Sequence, residues 1–599
     1  MSQSIKISVL ALLFSLQFIQ AQEIQKYKIH SHNDYEQNIP FWSAYANGLN
    51  SIEVDVFLKD NNLYVSHTET DIKKERTLEK LYLDPLQQVM TLKMGNQQPI
   101  QLLIDIKTES VATLKKLIAV LENYPNIINN KNFSIVISGN RPEAKRYTHY
   151  PNYIQFDYQS LVSIPEKEQW DKVALISKSF SEFSSWNGKG RLTAEDYKKV
   201  SEAINKAHSY GKPFRFWGCP DSKTAWKTFK DLGVDFINTD MPYDSSRYLN
   251  SLDSRVFYNT IDSSVYTPTY LSDKKNSPIQ NVILLIGDGN GLAQISSAVL
   301  ANGGQLTLTQ LKSIGFIKTQ SSDDFTTDSA AAGTALAIGK KTFNRAIGVD
   351  SLGIPTENIM EVLTKKGFST GLITTDHITG ATPASFYAHQ KERDMTAAIA
   401  NHLINSKISL FMGGGSRNFA AGFSNTDFSI LNSIADVGNS NKNQVGLFFS
   451  ENTVPSVLKG RGNLLAEATK NGLEFLNAKN KPFFLMVESA QIDSYGHANN
   501  VPGIVSEGID FDRAITEAIK FADQTGNTLV IVTADHETSG FTLPQGNLKE
   551  KMIEGDFTTY DHTGIMVPIF SYGPQSDIFS GVYENNEVFH KIKQVLKLQ

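Results

Sequence analysis

The stretch NVILLIGDG, residues 281–289, runs through five consecutive large aliphatic side chains and then places Asp288 between two glycines. A strand with one wet face alternates apolar and polar residues; an unbroken apolar run of this length reads as a strand buried on both faces of a parallel sheet. The pattern recurs in FSTGLITTDH (368–377), KISLFMGGG (407–415), PFFLMVESAQ (482–491) and GNTLVIVTADH (526–536). Helix-length segments separate these runs, so the region reads as an open α/β sheet whose ligands should sit beyond the carboxyl ends of its strands.

The polar residues fall at those ends. Asp288 closes the first run, Glu488 closes FFLMVE, and Asp535 and His536 close TLVIVTADH. Buried carboxylates and imidazoles need compensation, and several converging on one sheet edge point to cations. Asp493 and His497 are spaced i, i+4, which on a helix aims both at one place, and His562 in YDHTG adds a further nitrogen. Mixed imidazole and carboxylate sets suit zinc, whereas Asp288 and Glu488 with a hydroxyl suit magnesium. Between these runs, DSAAAGTALA (328–337) has no side chain larger than threonine from Ser329 until Leu336. Such a segment lets a helix start close to its surroundings and turn its positive N-terminal end toward an anion.

The chain has 599 residues, too many for one hydrophobic core. Its 40% hydrophobic and 20% charged composition is that of a globular protein, and the net charge of -5 argues against nucleic acid as a partner. Residues 1–21 combine Lys6, an apolar run and Ala21, the pattern of an export signal, and no other run is long enough to span a membrane. With one cysteine, Cys219, no intramolecular disulfide can form. The expected division is a barrel over 23–250, a Ser-, Asp- and Pro-rich linker over 251–277 and the α/β region over 278–599.

In the first region SIEVDVFL, LYVSH, IQLLIDIK, FSIVIS, YIQFDY, KVALIS, PFRFWG and VDFINTD are strand-like runs, most of them separated by helix-length segments. This fits a TIM-type (β/α) barrel. HSHNDYEQ… through …VSHTE brings His32, Glu53, Asp55 and His67 within 36 positions. Glu53 and Asp55 alternate along one strand and so point to one face. Two histidines flanking a carboxylate-bound metal can serve as acid and base on a phosphodiester.

Taken in order, IGDGNG, TDSAAAGTA, GATPASFYAH, VESAQIDSYGH, TADHETSGF and DHTG resemble the site segments of the alkaline phosphatase family, an α/β/α sandwich, across residues 281–599. The resemblance implies Ser329 as the phosphate-accepting nucleophile and Arg393 as the arginine that clasps phosphate. It implies one zinc held by Asp493, His497 and His562, a second by Asp288, Asp535 and His536, and a magnesium by Asp288, Thr382 and Glu488. Two zinc ions would clamp the attacking and leaving oxygens of an in-line displacement. A homodimer acting on small phosphate esters, in the periplasm or outside the cell, follows from the same resemblance. The pattern departs at position 380, where many relatives carry an acidic or histidine residue near the magnesium site and this chain has Gly380.

The first region is similar to the glycerophosphodiester phosphodiesterase and phosphatidylinositol phospholipase C-like superfamily, with Asp105 in LLIDIK as the later acidic ligand and Lys107 beside it. Glu53, Asp55 and Asp105 would hold calcium or magnesium. HSHND stands where the usual motif is His-Arg-Gly, leaving Arg141 or Arg215 to contact phosphate. Glycerophosphodiesters or phosphoinositide-like diesters are the implied substrates; the other reading is a barrel that binds without catalysis.

Three further readings weigh less. GTALAIGKKT has five residues rather than four between Gly333 and Gly339 and no preceding strand, unlike a nucleotide-binding loop. Ser329 lacks the Pro and Arg that follow a sulfatase nucleophile. A phosphodiesterase of the sandwich superfamily would lack the third metal site that Thr382 and Glu488 supply.

Overall fold

The computed structural model describes residues 27–95, 98–419, 422–424 and 426–598; the expected export signal lies outside them. The described residues form two compact units, divided after Leu252. No helix among the described residues is long and apolar enough to cross a membrane.

The first unit is a closed barrel of eight parallel strands. They are Lys28–Ser31, Ser51–Lys59, Ile100–Ile106, Phe133–Gly139, Ile154–Tyr158, Val173–Ser179, Phe214–Trp217 and Phe236–Thr239, and the first pairs with both the second and the last. Two details differ from the sequence reading. The run at 63–67 supplies Asn62–Val65, an antiparallel hairpin partner of Ser51–Lys59 rather than a barrel stave. The missing stave is Lys28–Ser31, whose four residues are too few to show a period. Within the barrel Asp55 pairs in register with Asp105, which sets both carboxylates at the same level.

In the second unit ten strands form one sheet, in the order Phe428–Leu431, Gln444–Phe448, Leu410–Gly414, Ser369–His377, Phe483–Ser489, Asn281–Gly287, Thr528–Ala534, Val567–Tyr572, Ser313–Lys318 and Gly581–Glu584. Only Val567–Tyr572 runs against the rest. Successive residues of each central strand enter opposite cores. Ile283, Leu285, Leu485, Val487, Val530 and Val532 join one, while Val282, Leu284, Phe484, Met486, Leu529 and Ile531 join the other. This double burial is why the central strands carry no alternation. The helix Val501–Thr525 covers the first face, and the helix Ser329–Ile338 packs into the second. Residues 253–280 pack on this unit: Val256–Tyr258 pairs with Met552–Asp556, and Tyr266 and Thr269 bond to Asp523.

Candidate functional site

Strand register assembles the first part of the site. Glu488 lies beside Ile286 on one side and Thr374 on the other, and the Asp288 backbone N–H donates to Ser489 O at 3.0 Å. Asp535 and His536 leave the adjacent strand, and Asp535 Oδ1 accepts from Gly289 N at 3.1 Å. Asp493 and His497 lie on the seven-residue helix Gln491–His497, as their spacing requires.

Three imidazoles are oriented alike. His497 Nδ1 faces Tyr560 O at 2.6 Å, His562 Nδ1 faces Thr327 O at 2.8 Å, and His536 Nδ1 faces the Thr538 hydroxyl at 3.3 Å, a hydroxyl that itself donates to Asp493 Oδ1 at 2.5 Å. Each Nδ1 therefore carries a hydrogen, and each Nε2 points inward, where its lone pair can meet a cation once no proton holds it. His497 Nε2 and His562 Nε2 stand 3.1 Å apart, each 3.4 Å from Asp493 Oδ1. His536 Nε2 lies 3.4 Å from Asp288 Oδ1, 3.3 Å from Asp535 Oδ2 and 3.1 Å from Ser329 Oγ.

These residues fit metal ions. Asp288 Oδ1, Thr382 Oγ1, Glu488 Oε1 and Asp535 Oδ2 are buried with no hydrogen-bond partner, which is costly unless a cation meets them. Burial, with Asp535 and Asp493 nearby, pushes the Asp288 carboxyl far up; burial and Asp376 push Glu488 up to about 8, and burial pushes Asp535 up to about 6. Burial and His562 hold His536 well below its ordinary value, in the neutral form that ligates metal. Burial opposes a charge on His562, yet its bond to Asp493 outweighs that and raises it to about 9, so a proton takes the place a cation would hold. One ring nitrogen of His536 meets both the serine and the carboxylates. A Ser-His-Asp relay would use opposite ring nitrogens, so the arrangement is that of ligands and not of a relay.

Ser329 opens the helix Ser329–Ile338, and Asp328 caps it by accepting from Ala331 N at 2.9 Å. All ten residues of this helix are buried. The small side chains have a packing cause: a Cβ on Gly333 would come within 3.2 Å of Ser385 Oγ and 3.3 Å of Thr382 Cα. Arg393 Nη1 donates to Asp328 Oδ2 at 3.0 Å, which places the guanidinium beside the serine.

In the barrel, Glu53, Asp55 and Asp105 bring carboxylate oxygens within 4.8 Å of one another. Together with His32, His67, Lys107 and Arg215 these strands surround a cavity of about 530 Å³ that Glu53 and Asp105 line. His32 Nδ1 bonds to Asp240 at 2.8 Å. Asp55 Oδ2 meets Tyr35 OH at 2.7 Å and Lys107 Nζ at 3.0 Å, and its Oδ1 has no partner. Arg215 Nη1 reaches Glu53 at 2.6 Å inside the barrel, while Arg141 turns to Gly139 O at 3.1 Å.

Several site residues lay outside the sequence reading. Thr538 and Asp561 adjoin the imidazoles, Asp561 grouping with His497 and His562. His30 is fully buried, 2.7 Å from Glu53; it lies on the strand Lys28–Ser31, with His32 in the turn that follows. His389, which carried no role, bonds to Gly348 O and Glu361 as a structural histidine.

Comparison with known proteins gives a match to the alkaline phosphatase family over residues 279–430, 429–554 and 549–598. Residues 19–101 match an AIM6-like phosphodiesterase domain, and residues 213–243 the glycerophosphoryl diester phosphodiesterase family. Alkaline phosphatase 4 of Bacillus subtilis is 31% identical over 410 residues, covering 53% of this chain and 89% of its own. Alkaline phosphatase of Escherichia coli is 30% identical over 417 residues, covering 55% and 88%. Among solved structures, alkaline phosphatase from the Antarctic bacterium TAB5 is 42% identical with a TM-score of 0.51, covering 54% of this chain and 99% of its own. A histidine-to-aspartate mutant of that enzyme, described with Mg bound in the M3 site, is 41% identical with a TM-score of 0.52, covering 54% and 100%.

Proposed function

The chain belongs to the alkaline phosphatase family and is a metal-dependent phosphomonoester hydrolase, and from that premise we propose that Ser329 is the nucleophile that accepts the phosphoryl group. The observation that carries this reading is the 3.1 Å approach of Ser329 Oγ to the lone-pair nitrogen of His536, itself flanked by Asp288 and Asp535. Asp493, His497 and His562 would hold one zinc, Asp288, Asp535 and His536 a second, and Asp288, Thr382 and Glu488 a magnesium; the magnesium described in the TAB5 mutant supports the third. When bound, these ions supply Lewis-acid charge to the oxygens of the displacement.

The chain's own groups do the rest. The amides at the start of the serine helix and the Arg393 guanidinium, oriented by Asp328, bind the phosphate oxygens. Ser329 Oγ forms a bond to phosphorus as the ester oxygen departs and leaves as the alcohol with the serine proton. Water then cleaves the phosphoserine, releasing inorganic phosphate and restoring the hydroxyl. The test is mass spectrometry of the Ser329 peptide after acid quench in the presence of a monoester. A phosphate adduct is expected in the wild type; an active enzyme that never carries one, or an active Ser329→Ala variant, would sink the proposal.

For the barrel, the phosphodiesterase matches and the convergence of Glu53, Asp55 and Asp105 support cleavage of diesters such as glycerophosphodiesters, with His32 and His67 as base and acid. Calcium or magnesium suits this all-oxygen set. The units 23–250 and 278–599, joined through 251–277, would then act in sequence: the barrel makes a monoester and the second unit frees its phosphate. A second reading, a barrel that binds without turnover, is favoured by Lys107, whose single ammonium bridges Asp55 at 3.0 Å and Asp105 at 3.1 Å where a cation would sit. Export through residues 1–21 to the periplasm or beyond, and a homodimer, belong to the same proposal.

A further inference from the structure

Asp376 lies in the phosphatase site outside the motifs and the proposed ligand sets. It lies at the carboxyl end of Ser369–His377, two positions past Thr374, the register neighbour of Glu488. The strand is irregular between Ile373 and His377, so its alternation does not carry through to Asp376. Thr374 links Asp376 and Glu488 directly, since its hydroxyl donates to Glu488 Oε2 and accepts from the Asp376 backbone N–H at 2.8 Å. Of the surrounding charges, Asp376 acts most strongly on Glu488.

The chain then reverses. Gly380 N donates to His377 O at 2.8 Å, and Gly380 begins the short helix Ala381–Ser385 that carries Thr382. This turn lays Gly380 directly on Asp376: a Cβ at 380 would overlap the carboxylate Oδ2. The glycine thus leaves a space, and Asp376 fills it. Beside this carboxylate, Thr382 Oγ1 and Glu488 Oε1 are buried, 1% and 0% exposed by residue, and lack any hydrogen-bond partner. Like charges crowded next to unpartnered oxygens are tolerated where a hard cation joins them.

We propose that Asp376 is part of the third cation site, its carboxylate reaching across the space left by Gly380 to join Asp288, Thr382 and Glu488 and make that site an all-oxygen, three-carboxylate site for Mg2+. The inference rests on the proposed magnesium set and adds a residue to it. Oxygen-only donors with this much negative charge favour magnesium over zinc.

The experiment is Mg2+ titration of the zinc-loaded full chain, read by calorimetry and by the Mg2+-dependent rise in Tm, with zinc content as the check on folding. In Asp376→Asn, Mg2+ affinity should fall about tenfold or more, the scale of losing a charged partner at a metal site, with zinc content unchanged. Gly380→Asp alone should also bind Mg2+ poorly, because two carboxylates cannot share the space. The double variant Asp376→Gly with Gly380→Asp, which moves the carboxylate to the other side of the same space, should regain most of the affinity. Wild-type affinity in Asp376→Asn would overturn the inference, as would a double variant no better than Gly380→Asp. A wild-type chain that binds no Mg2+ would instead refute the magnesium set itself.

Discussion

His497 Nε2 and His562 Nε2 face each other across 3.1 Å while both rings turn Nδ1 to backbone carbonyls. Asp493 Oδ1, 3.4 Å from each, adds negative charge to the same point, so the pocket calls for a positive charge between the three groups. The polypeptide holds this geometry through Tyr560 O and Thr327 O on two separate loops. It is preorganised for a positive charge, which a proton on His562 supplies until a cation displaces it.

Removing one ring should remove one ion. In His562→Ala the purified chain should retain one zinc in place of two, and monoester turnover should fall by on the order of a hundredfold or more, the upper end of losses at metal sites. Full zinc content measured by elemental analysis would assign His562 elsewhere.

Protons and cations compete at the sheet edge, and the sign follows from the carboxyls. With Glu488 raised to about 8 and Asp535 to about 6, the folded metal-free chain binds more protons than the unfolded chain between about pH 4 and 8. Stability of the chelated protein should therefore fall as pH rises through that window. Metal affinity should rise over the same window as those protons leave. Thermal melts of chelated and metal-loaded protein across pH 5–9 check both; a metal-induced Tm shift that shrinks with rising pH contradicts the account.

Arg393 meets Asp328 through one ion-assisted bond of 3.0 Å and is the cation beside Ser329. Arg393→Ala should weaken inhibition by inorganic phosphate tenfold to about a hundredfold, corresponding to roughly 1.5–3 kcal/mol for a bond to a charged group. Zinc content should not change. Diester turnover in the isolated second unit should suffer less than monoester turnover, and equal losses would favour a diesterase.

The small residues after Ser329 carry a packing prediction. Gly333→Val places methyl groups against Ser385 and the Thr382 backbone, so it should cost about 1–3 kcal/mol as an overpacked core. It should also weaken Mg2+ binding, because Thr382 rides on the displaced helix. Unchanged stability in denaturant melts would show that the two helices are not in contact.

For the barrel, His32→Ala should abolish turnover of a generic phosphodiester while leaving monoester hydrolysis intact. Absence of diester turnover in the wild type under calcium and magnesium supports the binding reading instead.

The sandwich was legible because strands such as Val282–Ile286 are buried on both faces, so burial itself wrote the unbroken apolar runs. Its edge strands were not: Phe428–Leu431 and Gly581–Glu584 are short and partly exposed, and their pairing is set by neighbours far away in sequence. The same holds at the sites. Asp493 and His497 announced themselves by helical spacing, whereas Thr538 acts through a hydrogen bond to Asp493 that only the folded chain creates. Lys28–Ser31 escaped notice because four residues show no period, although it carries His30. Asp376 was hidden by a turn that brings Gly380 back over it.

The central claim is that dispersed histidines and carboxylates hold metal ions beside one esterifiable hydroxyl. It is tested most directly by element-resolved metal content of the full chain, paired with monoester turnover before chelation, after chelation and after metal return. Two zinc ions and one magnesium per chain are expected, with turnover lost on chelation and regained on return. A chelated, metal-free protein that still hydrolyses monoesters at the original rate would contradict the account.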